Sequence, residues 1–251
     1  MSLRRRALWI AYGLLFVFHA VVLFSPPPLG EFVRGEGIGR AEAWSAAGRF
    51  LAALNVFFPL IAGILSADRV VRDLRLGMRE LQESTPLLPA TYVLAKYLGV
   101  LASYLLPLFA WVLGVAVVVV AIGHAPLSFL YTVPVAFLAI TVPAFAFVVA
   151  FSIACPIILP LPVYQVLFTG YWFWANFVPP QLFPTLNGTL LTPSGMFAVQ
   201  GFFGGPVSEA IRGPDRYGPL DAALNIGVLA ACAAAALAAL VAFFRRRTRL
   251  A

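Results

Sequence analysis

The sequence predicts an all-α, polytopic membrane protein with six transmembrane helices, a cytoplasmic helix after the second span, and short re-entrant helices outside, before the last span. Hydrophobic residues make up 62% of the chain and charged residues only 11%, which is unlike a water-soluble domain. Residues 97 to 208 include no Asp, Glu, Lys or Arg, so a soluble fold would lack polar surface there. We expect residues 1–251 to form a single transmembrane domain.

The basic residues indicate how the spans are oriented. The net charge of +7 comes from three patches that flank apolar runs, at residues 4–6, 69–96 and 245–249. Because Lys and Arg favour the cytoplasmic side of short loops, both termini and the central loop are predicted to be cytoplasmic. The positive charge is thus explained without nucleic acid as a partner.

The first two spans are predicted at residues 7–24 and 46–66, with residues 25–43 outside. A basic start before an apolar run is also typical of a signal peptide, but residues 25–28 (SPPP) make a poor cleavage site and more spans follow. The first segment is interpreted as a retained helix.

The remaining spans are predicted at residues 97–122, 129–154, 157–176 and 220–244. Prolines interrupt the fourth and fifth, so a re-entrant pair is the alternative there. Residues 177–219 are expected to form an external loop whose short helices enter the outer leaflet. An aromatic belt at the membrane boundary is suggested just before this loop by Tyr171, Trp172 and Trp174. In the last span, small residues recur every four positions, as they do where helices contact each other.

The central loop has the pattern of an amphipathic helix over residues 68–83. Val71, Leu74, Met78 and Leu81 recur at helical spacing, and charged residues such as Arg69 and Arg72 occupy the other side. Leu76 projects among the charges and is a candidate contact for a partner. Such a helix could dock on a partner protein, or it could lie on anionic lipid head groups.

Short motifs in this loop carry a family resemblance. Residues 75–81 (RLGMREL), 84–86 (STP) and 92–99 (YVLAKYLG) resemble the first cytoplasmic loop of ABC-2-type ABC transporter permeases. In that family a Gly, an acidic residue followed by Leu, a Ser near a Pro, and a Lys opening the third span recur in this order. Residues 190–198 (LLTPSGMFA) and 200–204 (QGFFG) are similar to the family's loop between spans five and six. Only residues 1–6 precede the first span, whereas many members begin with an amphipathic elbow helix.

The resemblance implies the permease subunit of an ATP-driven exporter. Helix 68–83 would be the coupling helix, seated on a separate ABC ATPase subunit that binds ATP and Mg, and a second permease chain, identical or different, would complete the path within the membrane lipids. The preference for Arg over Lys and the abundance of Ala suggest a GC-rich bacterial genome, and therefore the bacterial plasma (inner) membrane. The residues expected to contact the ATPase are Arg75, Leu76, Gly77, Met78, Glu80, Leu81, Ser84 and Pro86.

No catalytic residue, cofactor or metal site is predicted in this chain. Its single lysine, Lys96, precedes Tyr97, so the phosphate-binding G-x-x-x-x-G-K-[ST] motif does not occur, and no hydrolase motif is found. Cys155 and Cys232 lie in apolar sequence and are interpreted as packing thiols.

Few ionisable residues fall within the predicted spans, which argues against a proton-coupled carrier and suits an amphiphilic or hydrophobic substrate. The candidates for a substrate path are Asn55, Gln165, Asn176 and His19, with hydrogen bonding between helices as the other interpretation. Two other functions stay open at this point. They are an ATP-independent channel or carrier, and a membrane scaffold or immunity protein that binds a peptide.

Overall fold

The protein is described by a computed structural model at residues 10, 12–14, 16–17, 21, 38–40, 42–76, 88–204 and 217–249. These residues form helices and connecting loops and contain no β-strand. The helices are α1 (Ala43–Leu54), α2 (Phe58–Ser66), α3 (Arg69–Arg75), α4 (Pro89–Ala121), α5 (Phe129–Ala136), α6 (Val142–Ala154), α7 (Leu161–Asn176), α8 (Met196–Phe203) and α9 (Pro219–Arg249). A π-helical segment, Phe137–Thr141, joins α5 to α6, and a 3₁₀ turn, Cys155–Ile157, follows α6.

Four of the described helical stretches are long and apolar enough to cross a membrane. They are Ala43–Arg75, Pro89–Ala121, Phe129–Ile157 and Pro219–Arg246. Helix α7 has only 16 residues, fewer than the roughly 20 that usually cross a bilayer. The predicted first span is described only at residues 10, 12–14, 16–17 and 21, which are helical. The chain is therefore a polytopic helical membrane protein with four candidate spans in its described part.

The boundaries differ from the sequence prediction in three places. The third span begins at Pro89 rather than at residue 97. The fourth continues through the 3₁₀ turn to Ile157, so the next helix starts only at Leu161. The second predicted span is two helices, α1 and α2, because Pro59 has no N–H to donate to the carbonyl of Asn55 and the helix breaks over residues 55–57.

Parallel neighbours form the interior of the bundle. Helix α1 packs on α5, α2 on α6, and α6 on α9, while α8 lies between α1 and α9. Of the most apolar windows, 61% of residues are buried in Ala43–Arg75 and in Phe129–Ile157, against 28% in α4 and 22% in α9. Helices α4 and α9 are thus peripheral, and their exposed apolar side chains face the position of lipid or of another chain.

Two glycines, Gly48 in α1 and Gly201 in α8, allow α8 to pack closely against its neighbours. A Cβ on Gly48 of α1 would meet the Cβ of Phe203 at 2.8 Å. A Cβ on Gly201 of α8 would meet the carbonyl oxygen of Gly218 at 2.5 Å. These contacts let the short helix enter the bundle, where Met196 and Phe197 are buried.

The described N-terminal residues run alongside α4 in the same direction. Tyr12 is fully buried, with its ring 5.9 Å from that of Tyr104. Four residues later, the ring of Phe16 stacks on Trp111 at 5.0 Å. Because both pairs advance along their helices together, the chain's N-terminal helical residues start from the end of the bundle where α4 starts.

Candidate functional site

One end of the bundle, here called the charged end, collects the basic segments that are described. It consists of α3, the first turns of α4 and the last turns of α9. The ring of Tyr92, near the start of α4, meets Phe244 of α9 edge to face at 5.6 Å. The central loop and the C-terminal arginines therefore lie at the same end, as the charge pattern predicts.

A three-residue cluster at the charged end fixes α3 to α4. The Asp73 carboxylate lies 2.5 Å from Lys96 Nζ and accepts a hydrogen bond from the Tyr92 hydroxyl at 2.8 Å. The Asp73 and Lys96 side chains are 20% and 26% exposed, so water screens the pair only in part. The sequence analysis did not predict this contact.

Helix α3 continues the membrane helix rather than lying apart from it. Only Ala67 and Asp68 separate α2 from α3, and α3 packs against the 3₁₀ turn after α6. Leu76 directly follows α3 and is 64% exposed, which agrees with its predicted projection. Leu76 is thus an exposed apolar side chain at the end of a helix that is held to the bundle.

Arg69 corrects the predicted polar face of this helix. It was expected among the solvated charges, but it is only 8% exposed, because α3 turns this side toward the bundle. Its Nε is 3.9 Å from Asp68 Oδ1, and both Nε and Nη2 are buried without a hydrogen-bond partner. Burial of this guanidinium is costly, because two of its nitrogens lack hydrogen bonds. Its positive charge adds to the local potential.

The proposed ATPase contacts are described only in part. Arg75 ends α3 and is exposed, and Leu76 follows it. The rest of the predicted coupling helix lies outside the described residues, namely Gly77, Met78, Glu80, Leu81, Ser84 and Pro86.

The break between α1 and α2 meets two other irregular segments at a buried point. Asn55 is 1% exposed, and its Nδ2 donates to the carbonyl of Ile140 at 3.0 Å and to that of Ser194 at 3.5 Å. Ile140 belongs to the π-helical segment, and π-helical turns are often found at functional sites. The amide of Asn55 thus joins the broken helix, the π segment and the loop after α7.

Two further features hold this junction together. The indole Nε1 of Trp172 donates to the carbonyl of Val56 at 2.9 Å, which satisfies an acceptor released by the helix break. Gly195 has φ of +86°, and a Cβ there would lie 2.5 Å from Ile140 Cγ2. Trp172 is fully buried, so its expected place in an aromatic belt was wrong.

Two of the candidate path residues, Gln165 and Asn176, lie at different heights of α7. Gln165 donates from Nε2 to the carbonyl of Ile64 at 3.3 Å and lines a shallow crevice of about 370 Å³ with Pro162, Val166 and Thr169. Asn176 is buried and donates to the Trp172 carbonyl of its own helix at 2.8 Å. Gln165 and Asn176 are 11 positions apart in α7, which corresponds to a distance of about 16 Å along the helix axis. His19 lies outside the described residues.

The loop after α7 forms a packed cap at the end opposite the charged end. Asn225 of α9 is 2% exposed and donates from Nδ2 to the carbonyls of Leu190 and Thr192 at 2.9 and 3.1 Å. The ring of Phe197 stacks on Tyr217, with 3.8 Å between centroids. These contacts tie the loop to the last membrane helix.

Among the described residues no group of three or more His, Cys, Asp or Glu side chains could hold a metal ion. Cys155 and Cys232 are free thiols. Within the described residues, the charged end is the best-defined candidate surface, because the Asp73 cluster holds its helices together.

Comparison with protein-family models, with curated proteins and with solved structures finds no match to this chain.

Proposed function

We propose that the chain is the transmembrane permease subunit of an ATP-driven exporter of the ABC-2 type, energised by a separate ATPase subunit. The observation that carries this proposal is the attachment of α3. This helix continues α2 with two residues between them, is held to α4 through Asp73, and leaves Leu76 64% exposed at the charged end.

This attachment suits the transmission of force from a docked ATPase. A docking helix on a flexible loop would absorb a displacement, whereas α3 is bound to the starts or ends of three membrane helices. A movement of Leu76 would reach α2 through the chain, α4 through the Asp73–Lys96 pair, and α6 through the packed 3₁₀ turn. The motif resemblance in residues 75–99 supports the same assignment.

The proposed membrane arrangement has six spans with the charged end in the cytoplasm of a bacterium. The first span includes the helical residues that are described at 10, 12–14, 16–17 and 21. The fifth span is α7, and the loop with α8 is a re-entrant external cap. Both termini are then cytoplasmic, which follows from the positive-inside rule. The predicted helix 68–83, of which α3 is the described part, is the coupling helix.

The proposed substrate is amphiphilic or hydrophobic and moves outward. Residues 97 to 208 carry no Asp, Glu, Lys or Arg, so the membrane interior offers little to a small hydrophilic ion. The chain itself is non-catalytic, and ATP and Mg are bound by the partner. A second permease chain completes the path, and the sparsely buried faces of α4 and α9 are available for it.

Co-purification in nanodiscs with the ABC ATPase encoded beside this chain tests the proposal. We expect a stable complex whose ATP hydrolysis depends on the permease. Leu76→Asp places a charge in the docking contact and should weaken association at least tenfold, and Glu80→Arg should act in the same direction.

Leu127→Asp is the matched control, because Leu127 is 77% exposed in the turn between α4 and α5, away from the charged end. It should leave the complex intact. If wild type associates with no ATPase, the channel or carrier and the peptide-binding scaffold replace this proposal. If Leu76→Asp associates and couples normally, α3 is not the docking element.

A further inference from the structure

An apolar crevice of about 230 Å³ opens at the charged end, between the end of α6 and the last turns of α9. Its walls include Phe151, Cys155 and Ile158 on one side, and Ala236, Ala239 and Phe243 on the other. Ile158 at its edge is 83% exposed. The crevice therefore opens on the side of the bundle where a membrane protein meets lipid.

The crevice exists because small residues of α9 face a wide turn. Ala236 and Ala239 leave space that Leu240 and Phe243 border but do not fill. An unfilled apolar space forfeits dispersion contacts, and apolar walls do not attract water. A flexible hydrocarbon chain is the occupant that matches this shape and chemistry.

Positive charge surrounds the same end. Arg246 lies three residues after Phe243, so the helical repeat places it near the crevice side of α9, and it is exposed. Helix α3, which packs on the 3₁₀ turn beside the crevice, contributes Arg69, whose Nε and Nη2 are buried without a hydrogen-bond partner. The described acidic residues at this end are Asp68 and Asp73, and Asp73 is bound to Lys96. The basic residues thus outnumber the acidic ones.

We propose that this crevice binds one anionic phospholipid, with an acyl chain between α6 and α9 and the phosphate-bearing head group at the charged end beside Arg246. Apolar burial retains the chain, and attraction between the head group and Arg246 selects for negative charge. The lipid fills the gap between α6, on which α3 packs, and α9. The site does not depend on an ATPase partner, so it can exist whether or not the proposed function is correct.

Native mass spectrometry of the purified chain, with phosphatidylglycerol or phosphatidylcholine added, tests the site. We expect one phosphatidylglycerol to be retained at least tenfold more tightly than phosphatidylcholine. Arg246→Gln should bring the two lipids to similar affinity, whereas Arg245→Gln, on the side of α9 opposite the crevice, should not. Ala239→Trp should fill the crevice and abolish retention, whereas Ala234→Trp, at an exposed position outside the lining, should not.

A second measurement does not require a bulky substitution. In a Cys232→Ala background, phosphatidylglycerol should slow the reaction of Cys155 with a maleimide several-fold more than phosphatidylcholine does. Equal retention of both lipids by wild type, retention by a folded Ala239→Trp variant, or an unprotected Cys155 would each overturn the proposal.

Discussion

Lys96 Nζ lies 2.5 Å from Asp73 Oδ2, across 23 positions of sequence. This pair, with the Tyr92 hydroxyl on the same carboxylate oxygen, joins the helix that leaves the second predicted span to the helix that begins the third. It is the contact by which a change at Leu76 would reach α4 directly.

Asp73→Asn should lower the free energy of unfolding by about 1–3 kcal/mol, because Lys96 would keep its charge in a largely shielded position without an anionic partner. Thermal unfolding in nanodiscs measures the effect. Tyr92→Phe removes only one hydrogen bond to Asp73 and should cost about 1 kcal/mol. A double-mutant cycle of Asp73→Asn and Lys96→Met with zero coupling energy would show that the pair does not stabilise the fold.

Trp172→Phe should destabilise the bundle by about 1–3 kcal/mol, because the Val56 carbonyl at the helix break would lose its donor in a buried place. Trp174 provides a matched control, since its Nε1 also donates to a carbonyl, that of Pro184 at 2.9 Å, but at an exposed site. Trp174→Phe should cost clearly less in the same unfolding assay. Equal costs would mean that the break does not depend on the indole of Trp172.

Gly195→Ala should cost about 2 kcal/mol or more, because the added Cβ meets Ile140 and the left-handed backbone disfavours alanine. Gly170→Ala is the control, since a Cβ there would meet nothing within 4 Å in the middle of α7. That substitution should be neutral or stabilising. Comparable unfolding temperatures for both variants would argue against the observed approach of the loop to the π segment.

The phenol of Tyr217, which precedes α9, should ionise at a higher pH than an ordinary tyrosine. Burial, and then the nearby Asp221 carboxylate, raise the pKa of the Tyr217 phenol from 10.0 to about 12. The unfolded chain ionises this tyrosine first, so its contribution to stability is complete below pH 10 and declines as the pH rises from about 10 to 12. Ultraviolet difference titration of wild type against Tyr217→Phe measures the phenolate directly. A Tyr217 transition at or below pH 10 would contradict the burial of this ring.

The proposed topology predicts opposite labelling of two engineered thiols in a chain with both native cysteines replaced by alanine. Leu182→Cys, at a position 79% exposed in the loop after α7, should react with an impermeant maleimide in intact cells. Leu76→Cys should react only after permeabilisation. Labelling of Leu76→Cys from outside would reverse the orientation of the bundle.

The break in the second predicted span had a signal in the sequence. Pro59 lies four positions after Asn55, which is the spacing of a helical hydrogen bond, and a proline has no N–H to donate to that bond. The apolar length of the segment outweighed this signal, because hydropathy counts residues and does not register a local loss of one donor. The shortness of α7 follows similarly from Pro156 and Pro160, which end one helix and precede the next.

Other features had no signal in local sequence. The burial of Arg69 depends on which side of α3 faces the turn after α6, and the burial of Trp172 depends on an acceptor 116 positions away. An aromatic residue near the end of a span is compatible with a membrane boundary and with a core. Only the position of the neighbouring helices separates these cases.

By itself the sequence determined that this is a helical membrane protein, where most of its apolar helices lie, and that its basic residues flank them. These properties follow from composition and from spacing along one segment. The tertiary structure decided that α3 is bound to α4 through Asp73 and Lys96, that Asn55 joins Ile140 to Ser194, and that a crevice opens beside the C-terminal arginines. Each of these depends on groups brought together from distant parts of the chain, because packing selects among many pairings that a single sequence leaves open.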